Sequence, residues 1–270
     1  MSDLKSVLTF NGSSDYISVT DGSSWDITNY TVEVWIKPNG EPNETWAGIV
    51  DSNFNILLRK NGTIHHRFNI NNNNDARIPR TPENSIEWDK WSHVAITNNG
   101  ENAKTYINGE LKAEGATGGN IVLDETPLYV ARNLDGKSNS YFKGQIADIR
   151  VWNQSRSQED IKNDMSRRLK GDEQGLVGYW LLNEGSGNIA GDRTANENEG
   201  TIHGGTWEQT EIPIVEQQQH PIVEQQQHFF PEQEEGGTGL VGYAYWYCWK
   251  QNLLQEQSEK KEFRRGRISV

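Results

Sequence analysis

The stretch that decides the fold of this chain is Tyr141-Phe-Lys-Gly-Gln-Ile-Ala-Asp-Ile-Arg-Val-Trp-Asn153. Its apolar residues include Ile146 and Ile149, and its charged residues include Asp148 and Arg150. Alternation of apolar and charged residues is typical of a strand that is buried on one side only. The sequence therefore predicts a half-buried strand with one face toward solvent.

The next segment, Gln154-Ser-Arg-Ser-Gln-Glu-Asp-Ile-Lys-Asn-Asp-Met165, has the features of a helix start. Ser157 precedes two acidic residues, and Ile161 and Met165 lie four residues apart. Acidic groups in the first turn stabilise the N-terminus of a helix, and a spacing of four places apolar residues on one helix face. We expect a short helix within residues 157–169.

Turn signals divide most of the remaining chain into short alternating runs. Five Asn-Gly pairs begin at Asn11, Asn39, Asn61, Asn99 and Asn108. Asn-Gly suits turns that need positive φ, which is how hairpins are closed. Short strands separated by such turns predict an all-β sandwich or barrel.

Further segments of the chain occur, together with this strand and helix, in the same order along the sequence as the strands of a known family of domains. They are Leu8-Thr-Phe-Asn-Gly-Ser-Ser-Asp-Tyr-Ile-Ser-Val19, Tyr30-Thr-Val-Glu-Val-Trp-Ile-Lys-Pro38, Trp91-Ser-His-Val-Ala-Ile-Thr97, Lys104-Thr-Tyr-Ile-Asn-Gly-Glu-Leu111, Gly175-Leu-Val-Gly-Tyr-Trp-Leu-Leu-Asn-Glu-Gly185 and Gly200-Thr-Ile-His-Gly-Gly-Thr-Trp207. In this order the chain resembles laminin G-like and pentraxin-like domains over residues 4–208. The resemblance implies a concanavalin A-like jelly roll, an antiparallel two-sheet sandwich with one short helix. Most members of that fold bind rather than catalyse.

Composition excludes several classes of protein. The net charge is −12. Binding to nucleic acid depends on clustered Lys and Arg residues that contact phosphates, so we expect no nucleic-acid partner. No apolar run is long enough for a transmembrane segment. The N-terminus lacks the apolar core of a signal peptide, which predicts a cytoplasmic protein or one exported by a non-classical route. The single cysteine, Cys248, excludes an internal disulfide.

No catalytic motif is present. The resemblance raises the possibility of glucanase activity, which in this sandwich uses carboxylates spaced Glu-x-Asp-x-x-Glu on one strand, and the sequence has no such run. His65 and His66 are adjacent, so on a strand they face opposite sides and do not share a metal. We therefore expect a protein without enzymatic activity.

Two loops correspond in position to the calcium loops of the pentraxin-like domains. The first is Asp51-Ser-Asn-Phe-Asn-Ile-Leu57, in which Asn53 and Asn55 bracket the family's ligand pair. The second is Arg132-Asn-Leu-Asp135, where Asp135 matches the family aspartate but Arg132 or Asn133 replaces its glutamate. Calcium prefers six to eight oxygens, several of them charged. The resemblance implies a ligand site with Ca²⁺ as a cofactor, with fewer anionic groups than the family pattern has.

The resemblance implies a second metal position at the sandwich edge, with Asp15 as its candidate ligand, so the two predicted metal ligands are Asp15 at the edge and Asp135 in the loop site. Each of these aspartates has an alternative role, because aspartate also closes turns through its own backbone. Trp46 and Trp88 lie beside polar loops, and we predict that their rings stack on sugar.

The composition changes near residue 210, and we predict three regions. Residues 1–210 form the jelly roll, residues 211–238 are a linker that contains the repeat Pro-Ile-Val-Glu-Gln-Gln-Gln-His, and residues 239–270 form a C-terminal arm. Proline and glutamine blocks bury little surface and behave as extended linkers.

The C-terminal arm is aromatic and then basic, which predicts contact with another chain. An alternative is that the arm adds a strand to its own sandwich edge. The predicted partner-binding residues are Tyr243, Tyr245, Trp246, Tyr247, Trp249, Arg264 and Arg265.

Taken together, the sequence predicts a non-catalytic recognition module that binds carbohydrate in the manner of a lectin, with assistance from calcium. The alternative is a protein–protein assembly module whose arm docks on a partner. A lectin requires exposed aromatic rings beside convergent polar groups, whereas an assembly module requires a partner for the arm.

Overall fold

The computed structural model describes residues 4–20, 27–70, 73–78, 80–117, 123, 126–134 and 139–215. This part of the chain forms two antiparallel sheets and one short helix, which confirms the predicted jelly-roll sandwich. No helix within the described residues is long and apolar enough to cross a membrane.

The first sheet has the strand order β10-β9-β8-β3-β14-β1-β18, and β15 pairs with the second half of β14. Its strands are β1 (Lys5–Asn11), β3 (Tyr30–Pro38), β8 (Ser92–Asn98), β9 (Asn102–Ile107), β10 (Glu110–Ala116), β14 (Lys143–Trp152), β15 (Leu176–Trp180) and β18 (Thr206–Thr210). The sequence motif quoted above is β14, and it lies at the centre of this sheet.

The second sheet has the order β16-β17-β2-β11-β4-β5-β6-β7, with a small β12–β13 hairpin joined to β4. Its strands are β2 (Tyr16–Val19), β4 (Trp46–Asp51), β5 (Phe54–Arg59), β6 (Ile64–Ile70), β7 (Asn73–Arg77), β11 (Leu128–Val130), β12 (Arg132–Leu134), β13 (Asn139–Tyr141), β16 (Ile189–Ala190) and β17 (Gly200–His203). Consecutive strands alternate between the two sheets in several places, as in β1 to β2 and β2 to β3.

The main hydrophobic core lies between the sheets. Alternate residues of each strand point into it, because successive side chains of a strand face opposite ways. Ile17 and Val19 of β2 and Val32 and Val34 of β3 are all buried there. The predicted Asn-Gly turns are also present: Asn108 and Gly109 both have positive φ, 50° and 74°, and join β9 to β10.

The prediction that one side of β14 faces solvent is wrong. Asp148 and Arg150 are both almost fully buried, at 1% and 0% exposure. A bulge at Asp148, with φ 53°, shifts the register against β3 between Ala147 and Arg150. The outer side of this strand lies beneath the segment that contains the helix, so the charged residues face protein instead of water.

Helix α1 (Gln158–Asp164) confirms the predicted short helix. Ser157 is its N-cap: the Ser157 side chain accepts a hydrogen bond from the Asp160 backbone N–H, and the Asp160 carboxylate accepts one from the Ser157 backbone. This reciprocal capping box satisfies two backbone donors that a helix start leaves free. Ile161, the apolar residue identified from its spacing, is fully buried.

Arg150 connects the first sheet to the segment that covers it. Its guanidinium donates to the backbone oxygens of Asp164 at 2.9 Å and Arg167 at 2.7 Å. It also lies 2.6 Å from Asp148 Oδ1 and 3.9 Å from Glu33 Oε2. A buried ion group of this kind is stable only when its charges and donors are matched.

Glu33 is the second centre of this ionic group. It contacts His93 at 3.3 Å and Arg156 at 2.8 Å. Burial by itself would raise the pKa of Glu33, but the contact with His93 and the charges of Arg150 and Arg156 outweigh it and lower the pKa to about 2. Glu33 therefore stays ionised in the folded protein over the whole physiological range.

Residues 211–215 pack on the same side of the first sheet, beyond the boundary predicted at residue 210. Ile214 is buried with Trp35 and Val7, and Ile212 packs against the same cluster. The backbone of Val215 exchanges two hydrogen bonds with the segment after α1, donating to the oxygen of Ser166 and accepting from the N–H of Arg168. The rest of the linker predicted over residues 211–238, from residue 216 onward, lies outside the described residues.

We predict that His66 makes the protein sensitive to mild acid. Burial, with a smaller contribution from His65, lowers the pKa of His66 to about 3. In the unfolded chain the His66 imidazole becomes protonated below about pH 6.5, whereas in the folded protein it stays neutral at that pH. The free energy of unfolding therefore falls as the pH decreases below about 6.5. Between pH 7.5 and pH 5 the loss is about 2 kcal/mol.

Urea unfolding of wild type and His66→Gln at both pH values measures this loss. Gln keeps an acceptor for the Tyr30 hydroxyl, which lies 2.8 Å from His66 Nε2. His66→Gln should remove most of the pH dependence, whereas His203→Gln, at a half-buried residue, should retain it. An equal change in the free energy of unfolding between the two pH values in all three proteins would contradict the prediction.

Candidate functional site

Three tyrosines meet on the outer face of the second sheet, which is the face away from the core. Tyr16 comes from β2, Tyr129 from β11 and Tyr141 from β13, and all three are half-buried. The Tyr16 ring centroid lies 6.2 Å from that of Tyr129 and 6.4 Å from that of Tyr141. Their strand neighbours, such as Ile17 and Val130, point into the core, so the tyrosines must face outward.

Arg132 lies at the centre of these rings. Its guanidinium carbon is 4.6 Å from the centroid of Tyr16, 5.5 Å from that of Tyr129 and 5.7 Å from that of Tyr141. A cation over aromatic faces is attracted by the negative face of each ring. Three rings therefore fix the position of one positive charge. We name Tyr16, Tyr129, Tyr141, Arg132 and His203 the tyrosine–arginine face.

His203 extends this face toward β17. Its ring stacks on that of Tyr16, with centroids 4.3 Å apart and planes at 13°. The imidazole Nε2 lies 2.9 Å from the Ser18 hydroxyl oxygen, which orients the ring. The register of β17 against β2 sets the stack, because His203 is directly opposite Tyr16.

The backbone around Arg132 is built for this placement. Ala131 has φ 63°, a left-handed conformation that costs about 1 kcal/mol or more for a residue with a side chain. Gly48 of β4 leaves room for β12 to cross, because a Cβ on Gly48 would lie 2.4 Å from the Arg132 carbonyl carbon. These two features bring β12 over β4 and direct Arg132 to the tyrosines.

The tyrosine hydroxyls and the guanidinium of the tyrosine–arginine face have no hydrogen-bond or ion-pair partner among the described residues. Among the described residues, none of the hydrogen bonds uses a hydroxyl of Tyr16, Tyr129 or Tyr141, and no ion pair includes Arg132. The Nε of Arg132 is buried and has no hydrogen-bond partner. The face thus offers three aromatic surfaces, three hydroxyls and one cation within a small area.

The two loops predicted to form a ligand site do come together beside this face. Asp51 joins them: its Oδ2 accepts from the backbone N–H of Leu134 at 2.6 Å, and its Oδ1 accepts from the side-chain amide of Asn55. Asn53 and Asn133 are buried at 6% and 3% exposure. The two loops therefore form one polar cluster, in which Asp51 is already occupied by protein donors.

The described part of this cluster fits calcium poorly. Calcium takes six to eight oxygens, several of them charged. Here Asp51 supplies one carboxylate, and both of its oxygens accept hydrogen bonds from protein groups. Within the described residues there is no group of three or more acidic, histidine or cysteine side chains that could hold a metal. Asp135, the second carboxylate predicted for this site, lies outside the described residues.

Asp15, the other predicted metal ligand, closes the turn between β1 and β2. Its Oδ2 accepts from the backbone N–H of Asn11 at 3.0 Å, and its Oδ1 accepts from the Asn11 side-chain amide at 2.8 Å and the Ser14 hydroxyl at 3.3 Å. These bonds agree with the turn role weighed as the alternative. Calcium binding at Asp15 stays a prediction.

Within the described residues, no ring contact joins the two predicted sugar-stacking tryptophans to the tyrosine–arginine face. Trp46 is half-buried at the start of β4, with the guanidinium carbon of Arg59 5.7 Å from its ring centroid. Trp88 is half-buried and packs against the main core. The partner-binding residues predicted in the C-terminal arm, from Tyr243 to Arg265, lie outside the described residues, and their role stays a prediction.

A polar cavity beside helix α1 offers fewer available groups. It has a volume of about 280 Å³, and its lining includes Arg156, Asp164 and Glu173. Arg156 is paired with Asp164, and the Glu173 carboxylate accepts hydrogen bonds from the backbone N–H groups of Lys170 and Gly171. Its charged groups therefore mainly hold the covering segment in place.

The sequence did not point to the tyrosine–arginine face. Tyr129 stands between the core residues Leu128 and Val130, and Tyr16 comes directly before the core residue Ile17, which is a signal for an outward aromatic residue. That signal gives no information on which strands become neighbours. Arg132 stands out in the sequence only as a replacement in the calcium pattern, and no local pattern marks Tyr141 or His203 as site residues.

Comparison with known proteins places the chain in a family. Residues 11–162 match the family model of the concanavalin A-like lectin/glucanases superfamily of the laminin G type. No curated protein matches the chain.

Among solved structures, a candidate carbohydrate-binding protein from Bacteroides ovatus aligns with a TM-score of 0.64 at 20% identity, over 80% of this chain and 62% of its own. A heptameric SAP-like pentraxin from Limulus polyphemus aligns with a TM-score of 0.44 at 16% identity, over 58% of this chain and 80% of its own. The chain thus spans about 62% of the length of the Bacteroides protein. Because the family model matches more than half of its residues, this chain belongs to the concanavalin A-like lectin/glucanases superfamily.

Proposed function

We propose that the protein is a non-catalytic carbohydrate-binding module and that the sugar binds on the tyrosine–arginine face. The observation that carries the proposal is the meeting of three half-buried tyrosines around Arg132, with hydroxyls that bond to no described protein group. A binding site of this kind combines aromatic surface with a few placed polar groups.

The chemistry of a sugar matches such a face. A pyranose ring has apolar C–H faces and polar hydroxyl edges, so it packs its face on an aromatic ring and turns its edge to hydrogen-bonding groups. Tyrosine supplies both an apolar ring and a hydroxyl. The stack of Tyr16 on His203 makes the surface rigid, which reduces the entropy lost on binding.

The family and the structural neighbours agree with a binding role. The Bacteroides ovatus neighbour is named for carbohydrate binding, and the sequence has no Glu-x-Asp-x-x-Glu run of the kind that glucanases of this sandwich use. The polar cluster lies next to the face, because Asp51 pairs with Tyr129 across β4 and β11, but its Asn53 and Asn133 are buried, so the proposal assigns the sugar contacts to the face itself.

Glycan-array screening of the full chain, followed by calorimetry on the best ligands, tests the proposal. We expect Tyr16→Ala and Tyr141→Ala each to weaken binding by about tenfold or more, because aromatic residues supply most of the energy of such contacts. Tyr16→Phe should weaken it less, since it removes a hydroxyl and keeps the ring.

Two controls locate the site. Leu111→Ala alters an exposed apolar residue of the first sheet and should leave affinity unchanged. Trp46→Ala tests the site predicted from sequence, and it should also have little effect. Loss of binding in Trp46→Ala with full binding in both tyrosine variants would move the site to Trp46. Absence of binding to every glycan would overturn the proposed function.

A further inference from the structure

We infer that the sugar held on the tyrosine–arginine face carries an anionic group, a carboxylate or a sulfate ester, and that Arg132 binds that group. This inference rests on the proposed function and specifies its ligand class. The face would then recognise acidic glycans and discriminate against their neutral counterparts.

The charge of Arg132 is the first argument. Three other arginines in low-exposure positions each pair with a carboxylate: Arg150 with Asp148, Arg156 with Glu33, and Arg168 with Asp148. Arg132 is half-buried with a buried Nε, yet among the described residues no carboxylate pairs with it. Partly burying a charge without a partner is unfavourable, so a bound anion would complete the site.

The fixed position of Arg132 is the second argument. A surface arginine normally moves freely, but this one is confined by three rings on β2, β11 and β13. The left-handed Ala131 and the Cβ-free crossing at Gly48 also serve its placement. Strained backbone of this kind concentrates at ligand sites, where it holds a group in its binding geometry.

The guanidinium itself sets the class of ligand. Its planar fork gives two parallel N–H···O bonds to a carboxylate and comparable bonds to a sulfate ester, and such charge-assisted bonds are about twice as strong as neutral ones. The rings of Tyr129 and Tyr141 lie 5.5 Å and 5.7 Å from the guanidinium carbon, and in this inference their hydroxyls are further donors to the anion. The sugar ring would pack on the remaining aromatic surface.

The overall charge makes this contact specific. The chain carries a net charge of −12, which repels polyanions in general. An acidic glycan therefore gains from the protein only where a cation is held within hydrogen-bonding distance. Arg132 is such a place, and substitution of this single residue should decide the preference.

Matched pairs of glycans test the inference on the full chain. Carboxylated probes are oligogalacturonates against their methyl esters and sialyllactose against lactose. Sulfated probes are heparin hexasaccharides against their desulfated forms. We expect at least one acidic member to bind tenfold or more tightly than its neutral partner, and Arg132→Gln should remove that difference. Arg132→Lys should retain part of it, because lysine keeps the charge and loses the bidentate geometry.

Arg59→Gln is the matched control, since Arg59 belongs to the same sheet and lies near an aromatic ring, that of Trp46. It should leave the preference unchanged. If only the carboxylated or only the sulfated probes bind more tightly than their neutral partners, that result would identify the anion as carboxylate or sulfate. Equal affinity for both members of every pair, or equal weakening of both in Arg132→Gln, would overturn the inference while the proposed function stands. Absence of binding to all probes and to the wider array would overturn both.

Discussion

Replacing Arg150 with Met is expected to lower the free energy of unfolding by about 3–5 kcal/mol, the range measured when one member of a buried ion group is removed. Arg150 is fully buried and bonds to the backbone oxygens of Asp164 and Arg167. Met fills a similar volume, so the loss reports on charge and hydrogen bonding more than on packing. Asp148 and Glu33 would then lose part of their compensating charge.

Urea unfolding at neutral pH measures this loss, and far-UV circular dichroism shows whether the variant folds. Lys162→Met provides the control, because the ion pair of Lys162 with Glu110 lies at the surface, where solvent screening makes its contribution small. A loss in Arg150→Met as small as that of the control would show that the buried ion group does not stabilise the fold.

Truncation after Thr210 is expected to lower the free energy of unfolding by about 3 kcal/mol, whereas truncation after Val215 should leave it unchanged. The shorter protein loses the burial of Ile212 and Ile214 beside Trp35, and a buried isoleucine contributes about 1.5–3 kcal/mol. It also loses the hydrogen bond from Trp91 Nε1 to the Glu211 oxygen. For a domain of this size the melting temperature would fall by roughly 6–12 °C.

Calorimetry of the full chain and the two truncated proteins decides where the folded domain ends. The variant Ile214→Ala in the full chain separates lost packing from chain length, and it should reproduce a large share of the effect. A large fall in stability on truncation after Val215 would mean that residues beyond 215 belong to the fold, as the added-strand alternative for the arm requires.

These contacts also explain why the second sheet carries the candidate site. Helix α1 and residues 211–215 cover part of the outer side of the first sheet, where Trp35 donates to the backbone oxygen of Met165 and Trp91 to that of Glu211. On the second sheet, the outer side at β2 and β11 keeps tyrosines half-buried instead of fully buried. That surface is therefore the one with aromatic groups available to a ligand.

Local patterns in the sequence determined much of the fold. Ser157 and Asp160 specify a helix start wherever the helix lies, because the capping box uses only neighbouring residues. Asn108-Gly109 specifies a tight turn for the same reason. Tyr30–Pro38 is a strand with the predicted bounds, since its apolar and β-branched residues favour an extended, buried chain.

Only the tertiary structure decided which residues share a surface. The sequence predicts that the charged side of β14 faces solvent, but a covering segment buries it, and Arg150 bonds to backbone oxygens 14 and 17 positions later in the chain. The tyrosine–arginine face gathers Tyr16, Tyr129, Arg132, Tyr141 and His203 from sites up to 187 positions apart, through sheet order and a left-handed turn at Ala131. Alternation along a strand tells which way a side chain points, but the neighbours of that strand depend on pairing between distant segments, which no local pattern encodes.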